Sequence, residues 1–412
     1  MTETTIVGPT LQEFESARTV VSSLATTTPM ERSSHLAEVL GSPLFLKCEN
    51  LQRTGSYKVR GAYYRLTRLS IEERSHGVVA ASAGNHAQGV ALAARELGIA
   101  ATIFMPVGVP LPKLQATRAY GAEVVLQGHS FEETKRAATA FAAETGAIFI
   151  APFDHPDIIT GQGTLGFDLL EQVPDLETVI VPIGGGGLIA GVASMLKQRA
   201  AELGRTIRVI GVQAANSAAY PPSLAAGEPV EIAARPTIAD GIAVAKPGVL
   251  NFEMISRYVD EVVTVDEADI ARALLVLLER AKLVVEPAGA VSVAAILSGV
   301  VRNTGVTVAV LSGGNIDPLL MQRVIAHGLA ASERYLKLRI PLPDRPGQLA
   351  RTAELIAAAN ANVVEVLHTR HGSGLQISEV ELELHIETRG PEHAELVLRT
   401  LREAGYDPRV DF

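Results

Sequence analysis

Four blocks of this chain carry residues whose types and spacing could do chemistry, and three of them sit at the ends of apolar runs. Gly184, Gly185, Gly186 and Gly187 follow the β-rich run TVIVPI and precede an apolar helical pattern. Without Cβ atoms, such a stretch can turn tightly and aim several N–H groups at one anion beside a helix N-terminus, and phosphate is the natural guest. A Walker A loop is excluded, because no Gly-Lys-Ser/Thr follows. Gly185, Gly187 and Ala190 meet a dinucleotide fingerprint loosely, yet the next strand ends in Gln213, where that fingerprint needs an acid for the ribose. An unliganded tight turn is the bland alternative, although four consecutive glycines exceed what a turn needs.

The second block is ENLQRTGSYKVRGA (residues 49–62), in which Lys58 sits between a polar, glycine-containing loop and a small-residue helix start. A lysine partly desolvated there has a lowered pKa suited to Schiff-base chemistry, whereas most lysines are simply solvated. In the third, Ser82-Ala83-Gly84-Asn85-His86 ends the run VVAAS and opens a helix. That is a second anion-binding N-terminus, fit for a carboxylate, unless Ser82 or Asn85 only caps it. The fourth, Ser312-Gly313-Gly314-Asn315, again follows an apolar run. In parallel α/β sheets, ligands gather at the carboxyl ends of strands.

Elements of that kind are legible from residue 40 to about 325, where short β-rich runs (VVAAS, TIFM, EVVLQ, IFIAPF, TVIVPI, RVIGVQ, EVVTV, TVAVLS) alternate with helical patterns. Asp266 is placed to cap the helix DEADIARALLVLLERA. Apolar strands alternating with helices indicate βαβ units and a buried, doubly wound parallel sheet. After about residue 330 the rhythm changes to β-α-β-β-α(-β), a separate ferredoxin-like α+β domain, with IAHGLAASER (325–334) as the expected connection.

At 412 residues the chain has room for two to three domains, and its 47% hydrophobic content fits a globular protein. A net charge of −9 without a basic block provides no footprint for nucleic acid or anionic membrane. The single cysteine, Cys48, excludes an intramolecular disulfide and a cysteine-based zinc site. Residues 178–196 carry no charge over 19 positions, but Pro182 and five glycines break the run as a membrane helix. MTETTIVGPT has no basic or apolar leader pattern, so the expected address is the cytosol.

Taken together, the blocks resemble the fold-type II pyridoxal-phosphate enzymes, most closely their threonine dehydratase (threonine ammonia-lyase) branch. The resemblance covers residues from about 25 to 325 and rests on SYKVRGA, SAGNH, GQGT (161–164), GGGGL (184–188), ADGIAV (239–244), EPAGA (286–290) and SGGN in that order. It implies a two-subdomain catalytic domain over residues 1–330, with the small subdomain at about 50–150. It also implies that Lys58 forms the Schiff base with pyridoxal 5'-phosphate and then serves as base on the substrate α-carbon. By the same likeness Gly184, Gly185, Gly186, Gly187 and Leu188 hold the phosphate, Asn85 the ring hydroxyl and Ser312 the pyridine nitrogen. Ser82, Gly84 and His86 grip the substrate carboxylate. A serine at the ring nitrogen leaves a weaker electron sink than an aspartate, which favours prompt loss of a β-leaving group.

Two departures narrow the reading. Serine racemases of this group usually carry a serine at the second position of the SAGNH block; here Ala83 has no proton to give, so elimination is favoured. Those relatives also hold a divalent cation through acids after the strand matching RVIGV, where this chain has Gln213 and the neutral stretch Ala214–Ala219. No metal site is expected. The tail, DRPGQLARTAELIAAANANVVEV, looks like an ACT domain, which implies an amino-acid effector at the Asp344-Arg345-Pro346-Gly347 turn, with Asn362 near the same pocket. An ordinary dimerisation domain is the alternative for residues 331–412. The expectation is therefore a regulated lyase converting L-threonine to 2-oxobutanoate and ammonia, also acting on L-serine, as a homo-oligomer (dimer or tetramer). A β-replacement enzyme or serine racemase of the same fold, or a non-enzymatic amino-acid sensor, are the alternatives.

Overall fold

The apolar runs form strands, and the strands form two parallel sheets. In the computed structural model, which describes residues 8–331, 333–370 and 378–410, chain contacts divide the protein into two units, Met1–Asp317 and Pro318–Phe412. The strands of the first unit are, in chain order, β1 (Met30–Arg32), β2 (Leu44–Lys47), β3 (Val78–Ala81), β4 (Ala101–Met105), β5 (Glu123–Leu126), β6 (Ile148–Phe149), β7 (Thr178–Pro182), β8 (Arg208–Ala214), β9 (Glu261–Val265) and β10 (Thr307–Val310).

The larger sheet runs β1-β2-β10-β7-β8-β9, and the smaller one β5-β4-β3-β6. Every pairing is parallel except β1 with β2. Strands such as VVAA and TVIVP are buried along their whole length, as expected where helices cover both faces. The larger core gathers around Phe14, Ile189, Met195 and Tyr220, the smaller around Leu66, Val90, Ile103 and Ile158. Asp266 caps its helix, accepting from Asp269 N at 2.8 Å, but that helix stops at Val276 and continues as a π-helical turn, Leu277–Ala281.

The helix that opens with Lys58 (Lys58–Thr67) packs against the helix Pro156–Gly163 at glycines. A Cβ on Gly161 would lie 2.6 Å from Gly61 Cα and 2.7 Å from Arg60 O, so neither glycine tolerates a side chain. The run IFIAPF is a strand only over Ile148–Phe149. Beyond it Ile150 N still donates to Val79 O (2.9 Å), but the carbonyls of Ile150 and Pro152 accept from the His86 and Lys58 side chains, and Pro152 has no N–H to donate.

In the second unit the helix Pro318–Ala331 occupies most of the segment expected as a connection. It is followed by β11 (Tyr335–Pro343), β12 (Asn362–Thr369), β13 (Glu379–Glu387) and β14 (Arg409–Val410), an antiparallel sheet ordered β12-β13-β11-β14. β11 and β13 alternate strictly, sending Leu336, Leu338, Ile340 and Leu342 and then Val380, Leu382, Leu384 and Ile386 into one core beneath two helices. The order β-α-β-β-α-β is present. The register corrects the expectation for Asn362. It pairs with Glu387 at one end of β13, whereas Pro343, next to the Asp344–Gly347 turn, pairs with Glu379 at the other. Eight strand residues separate those ends, about 26 Å, because the helix after the turn carries the chain back to the start of the sheet. No helix among the described residues is long and apolar enough to cross a membrane.

Candidate active site

The loops carrying the four motif blocks all leave the carboxyl ends of parallel strands. The loop before Lys58 follows β2, the SAGNH block follows β3, the glycine run follows β7 and Ser312 follows β10. Because β2, β10 and β7 are neighbours, three of the four share one rim, and the fourth faces them from the smaller sheet. Backbone bonds then lock the loops together: Tyr57 N donates to Ser312 O (3.2 Å), Gly314 N to Gly55 O (2.9 Å) and Glu286 N to Gly313 O (3.0 Å). Thr54 in the same loop has φ 65. For a β-branched residue that conformation is strained by about 1–3 kcal/mol, a cost that concentrates at functional sites.

Lys58 is the first residue of its helix, half-buried, with Nζ donating to Pro152 O at 2.8 Å. Burial pushes its amine down to about 8, against the pull of the Glu286 carboxylate. Two residues on, Arg60 anchors this helix start in the core through Glu49 (2.8 Å) and Asp168 (2.6 Å), with Lys47 3.5 Å from Asp168. Two cations and two anions cancel, which is the condition for burying any of them.

The glycine run is shaped as a cup. The N–H groups of Gly184 to Leu188 have no acceptor among the described residues, while Gly186 takes φ 101 and caps the helix Gly187–Glu202. Cβ atoms are excluded from behind, since one on Gly185 would lie 2.4 Å from the Phe153 ring and one on Gly187 2.9 Å from Phe153 O. Five successive free N–H groups at a helix N-terminus fit a phosphate. Phe153 adjoins Pro152, so the surface that supports the cup is continuous with the acceptor that holds Lys58.

Around the SAGNH block, Gly84 N donates to Ser82 Oγ (3.2 Å) and the helix Asn85–Leu97 begins without a side-chain cap, leaving its first N–H groups for a guest. Asn85 Nδ2 donates to Glu286 Oε1 (2.6 Å), and Asn315 Nδ2 donates to Asn85 Oδ1 (2.8 Å) and to Thr54 O (2.7 Å). The His86 ring departs from the expected carboxylate grip. Its Nε2 donates to Ile150 O at 2.9 Å, and burial, followed by the nearby Lys58 charge, pushes it down to about 3. A neutral ring protonated at Nε2 has no second proton, so His86 can offer a carboxylate only its backbone N–H.

Glu286 is the group that residue types alone did not single out. It is buried, and burial, then Asp240, push its carboxyl up to about 7 despite Asn85, Lys113 and Lys58. The hints were its place at the head of the EPAGA block and immediately before Pro287, where an apolar helix begins. Pro152 and Phe153 carried no hint. Gln213, expected to leave the racemase cation position neutral, accepts from Tyr220 N through Oε1 at 2.9 Å.

Comparison with known proteins agrees with this geometry. Residues 21–313 match the family model described as pyridoxal-phosphate dependent enzyme. An L-threonine ammonia-lyase of Thermotoga maritima is 46% identical over 401 residues, covering 97% of this chain and 99% of that protein, so the likeness runs through both units. Among solved structures, threonine deaminase isoform 2 of Solanum lycopersicum has a TM-score of 0.73 at 36% identity, covering 78% of this chain and 95% of that one. Maize serine racemase reaches the same TM-score, 0.73, at 33% identity, covering 79% and 99%. Fold likeness therefore does not by itself separate a deaminase from a racemase.

Proposed function

The chain belongs to the pyridoxal-phosphate-dependent enzyme family, and from that premise we propose how its residues carry out the lyase reaction its relatives are named for. It is a pyridoxal-phosphate-dependent ammonia-lyase acting on L-threonine, and L-serine is proposed as a second substrate. The observation that carries the reading is the 46% identity to an L-threonine ammonia-lyase over 97% of the chain, together with Ala83 in place of a proton-bearing residue.

In this reading the N–H groups of Gly184–Leu188 hold the cofactor phosphate, and Lys58 is the residue that bonds to its aldehyde. Bound there, the cofactor supplies a sink for the electron pair left on the substrate α-carbon. The backbone N–H groups at the start of the helix Asn85–Leu97, with Ser82 Oγ, bind the substrate carboxylate, supported by the lack of any side-chain cap. Lys58 takes the α-proton; an amine held near 8 is basic enough to accept it and is not fully protonated at neutral pH. With the cofactor bound, Ser312 would offer its hydroxyl to the ring nitrogen, and Asn85, poised by Glu286 and Asn315, would offer its amide to the ring hydroxyl. Ala83 offers no proton to the opposite face of the α-carbon, so the β-hydroxyl would depart before the carbon is reprotonated, leaving as water with the proton that Lys58 took from the α-carbon. The released enamine, 2-aminocrotonate, tautomerises and is hydrolysed by one water to 2-oxobutanoate and ammonia, and atoms balance as threonine giving those two products.

The second unit, we propose, is a regulatory domain of the ACT type, supported by its β-α-β-β-α-β order and antiparallel sheet. Asp344 and Gly347 remain its proposed effector turn, and a branched-chain amino acid its effector. The functional domains proposed are residues 1–330 and 331–412. Assembly as a dimer or tetramer in the cytoplasm belongs to the same proposal.

The experiment is product analysis over a panel of amino acids with the cofactor-loaded protein. Equal release of 2-oxobutanoate and ammonia from L-threonine is expected. D-serine as the main product from L-serine would identify a racemase, a thioether formed only with added thiol would identify a β-replacement enzyme, and no turnover at all would identify a sensor.

A further inference from the structure

The peptide joining Gly185 to Gly186 is held from behind by two buried side chains. Gly185 O accepts from Tyr220 Oη at 3.1 Å and from Asn251 Nδ2 at 2.9 Å, and both residues are fully excluded from solvent. No peptide among the described residues is cis. In a planar trans peptide, C=O and N–H point in opposite directions, so fixing this carbonyl toward Tyr220 and Asn251 fixes Gly186 N–H toward the cup. From these contacts we infer that Tyr220 and Asn251 are positioning residues for phosphate binding, acting through the Gly185 carbonyl. The inference rests on the reading of Gly184–Leu188 as the phosphate cup.

Each clamp residue is itself pinned. Asp154 accepts from the N–H groups of Val249 (2.9 Å), Leu250 (3.1 Å) and Asn251 (3.3 Å), fixing the first turn of the helix Val249–Tyr258. Gln213 fixes the backbone of Tyr220. Burial, and then Asp154, push the Tyr220 phenol up, so it stays a donor. Gly186 closes the arrangement, because a Cβ there would stand 2.1 Å from Tyr220 Oη. Asp154 also ends the tripeptide whose Pro152 receives Lys58 and whose Phe153 underlies the cup. One short segment therefore coordinates the lysine and the clamp.

The test compares pyridoxal 5'-phosphate with pyridoxal, which lacks the phosphate, as ligands of the apoprotein. Binding is followed by the visible absorbance of the cofactor, and the bound phosphate by its ³¹P resonance. Tyr220→Phe keeps the ring and removes one buried hydrogen bond; Asn251→Ala removes the other. Each is expected to weaken pyridoxal 5'-phosphate about three- to tenfold, to shift the ³¹P resonance and to leave pyridoxal affinity unchanged. Equal losses for both ligands would reveal general structural damage and overturn the inference, as would unchanged phosphate affinity in both variants. Wild-type protein that binds both ligands equally would overturn the phosphate reading of the glycine run, and the inference with it.

Discussion

The Asn85 amide donates to Glu286 Oε1 at 2.6 Å, joining a helix start beside the smaller sheet to a helix start beside the larger. A carboxyl in that place is protonated far more readily than in water: its ordinary value is 4.5, and here it is pushed up to about 7. Between those two pH values the folded chain holds a proton that the unfolded chain has lost. The associated stability is fully present below 4.5 and is lost as pH rises through 7.

Glu286→Gln keeps the acceptor for Asn85 and removes the titration. Urea unfolding of the apoprotein should then lose its decline over this window, and at pH 8 the variant should be more stable by on the order of 2–3 kcal/mol. Parallel stability curves for variant and wild type would sink the assignment of this decline to Glu286.

Lys58 titrates in the other sense. Its folded value of about 8 lies below the ordinary 10.5 because burial disfavours the ammonium. Only the neutral amine attacks an aldehyde, so cofactor capture by the apoprotein should accelerate about tenfold per pH unit below 8 and level off above it. Stopped-flow absorbance measures this directly. Lys58→Ala should keep less than about a tenth of turnover, a loss exceeding roughly 1.4 kcal/mol in activation free energy; greater residual activity would refute its role.

Ala83→Ser places a hydroxyl on the face that lacks a proton donor. Chiral chromatography after long incubation with L-serine should show more D-serine per pyruvate than wild type produces. An unchanged ratio with turnover retained would remove Ala83 as the reason this chain eliminates.

Gly347 caps the helix Gln348–Ala358 at φ 90, exposed, in the second unit. Valine there incurs about 1–3 kcal/mol of backbone strain and should distort the turn. In wild type, isoleucine should shift apparent threonine affinity by a coupling of about 1–3 kcal/mol. Gly347→Val should abolish that shift. A variant inhibited by isoleucine as strongly as wild type would show that this turn does not bind the effector, and light scattering on both proteins checks assembly.

Much of the site was legible because parallel-sheet proteins place function where buried strands end, and strand ends are visible as apolar runs stopping at Gly, Ser or Asn. The SAGNH block, the glycine run and Ser312 are legible on that ground, Lys58 instead as a lysine between a glycine-containing loop and a helix start, and the structure brings their loops together. Residues whose role arises only from tertiary contact were not legible. Nothing in the sequence marks Tyr220 or Asn251; their role exists only because Gly185 O lies against both. The part played by the His86 ring is not legible, because nothing in the sequence foretells that Ile150 O takes its proton. Asn362 was misplaced because proximity along the chain across a helix says nothing about which end of a sheet the next strand begins. The turn at Leu277–Ala281 was hidden because apolar spacing is the same whether the backbone bonds close α or π rings.

β2 and β10 are neighbours, pairing Leu44 with Thr307, and the loops that follow them carry Lys58 and Ser312. About 260 residues separate the two strands. At a synthesis rate of about 5–20 residues per second, roughly 13 to 50 seconds pass between the ribosome making one and making the other. Until the later strand emerges, the Lys58 loop lacks the backbone bonds that Ser312 and Gly314 make with Tyr57 and Gly55. The order of translation thus leaves one side of the site open in a half-made chain, and a nascent protein stalled before β10 should capture cofactor more slowly than the finished one.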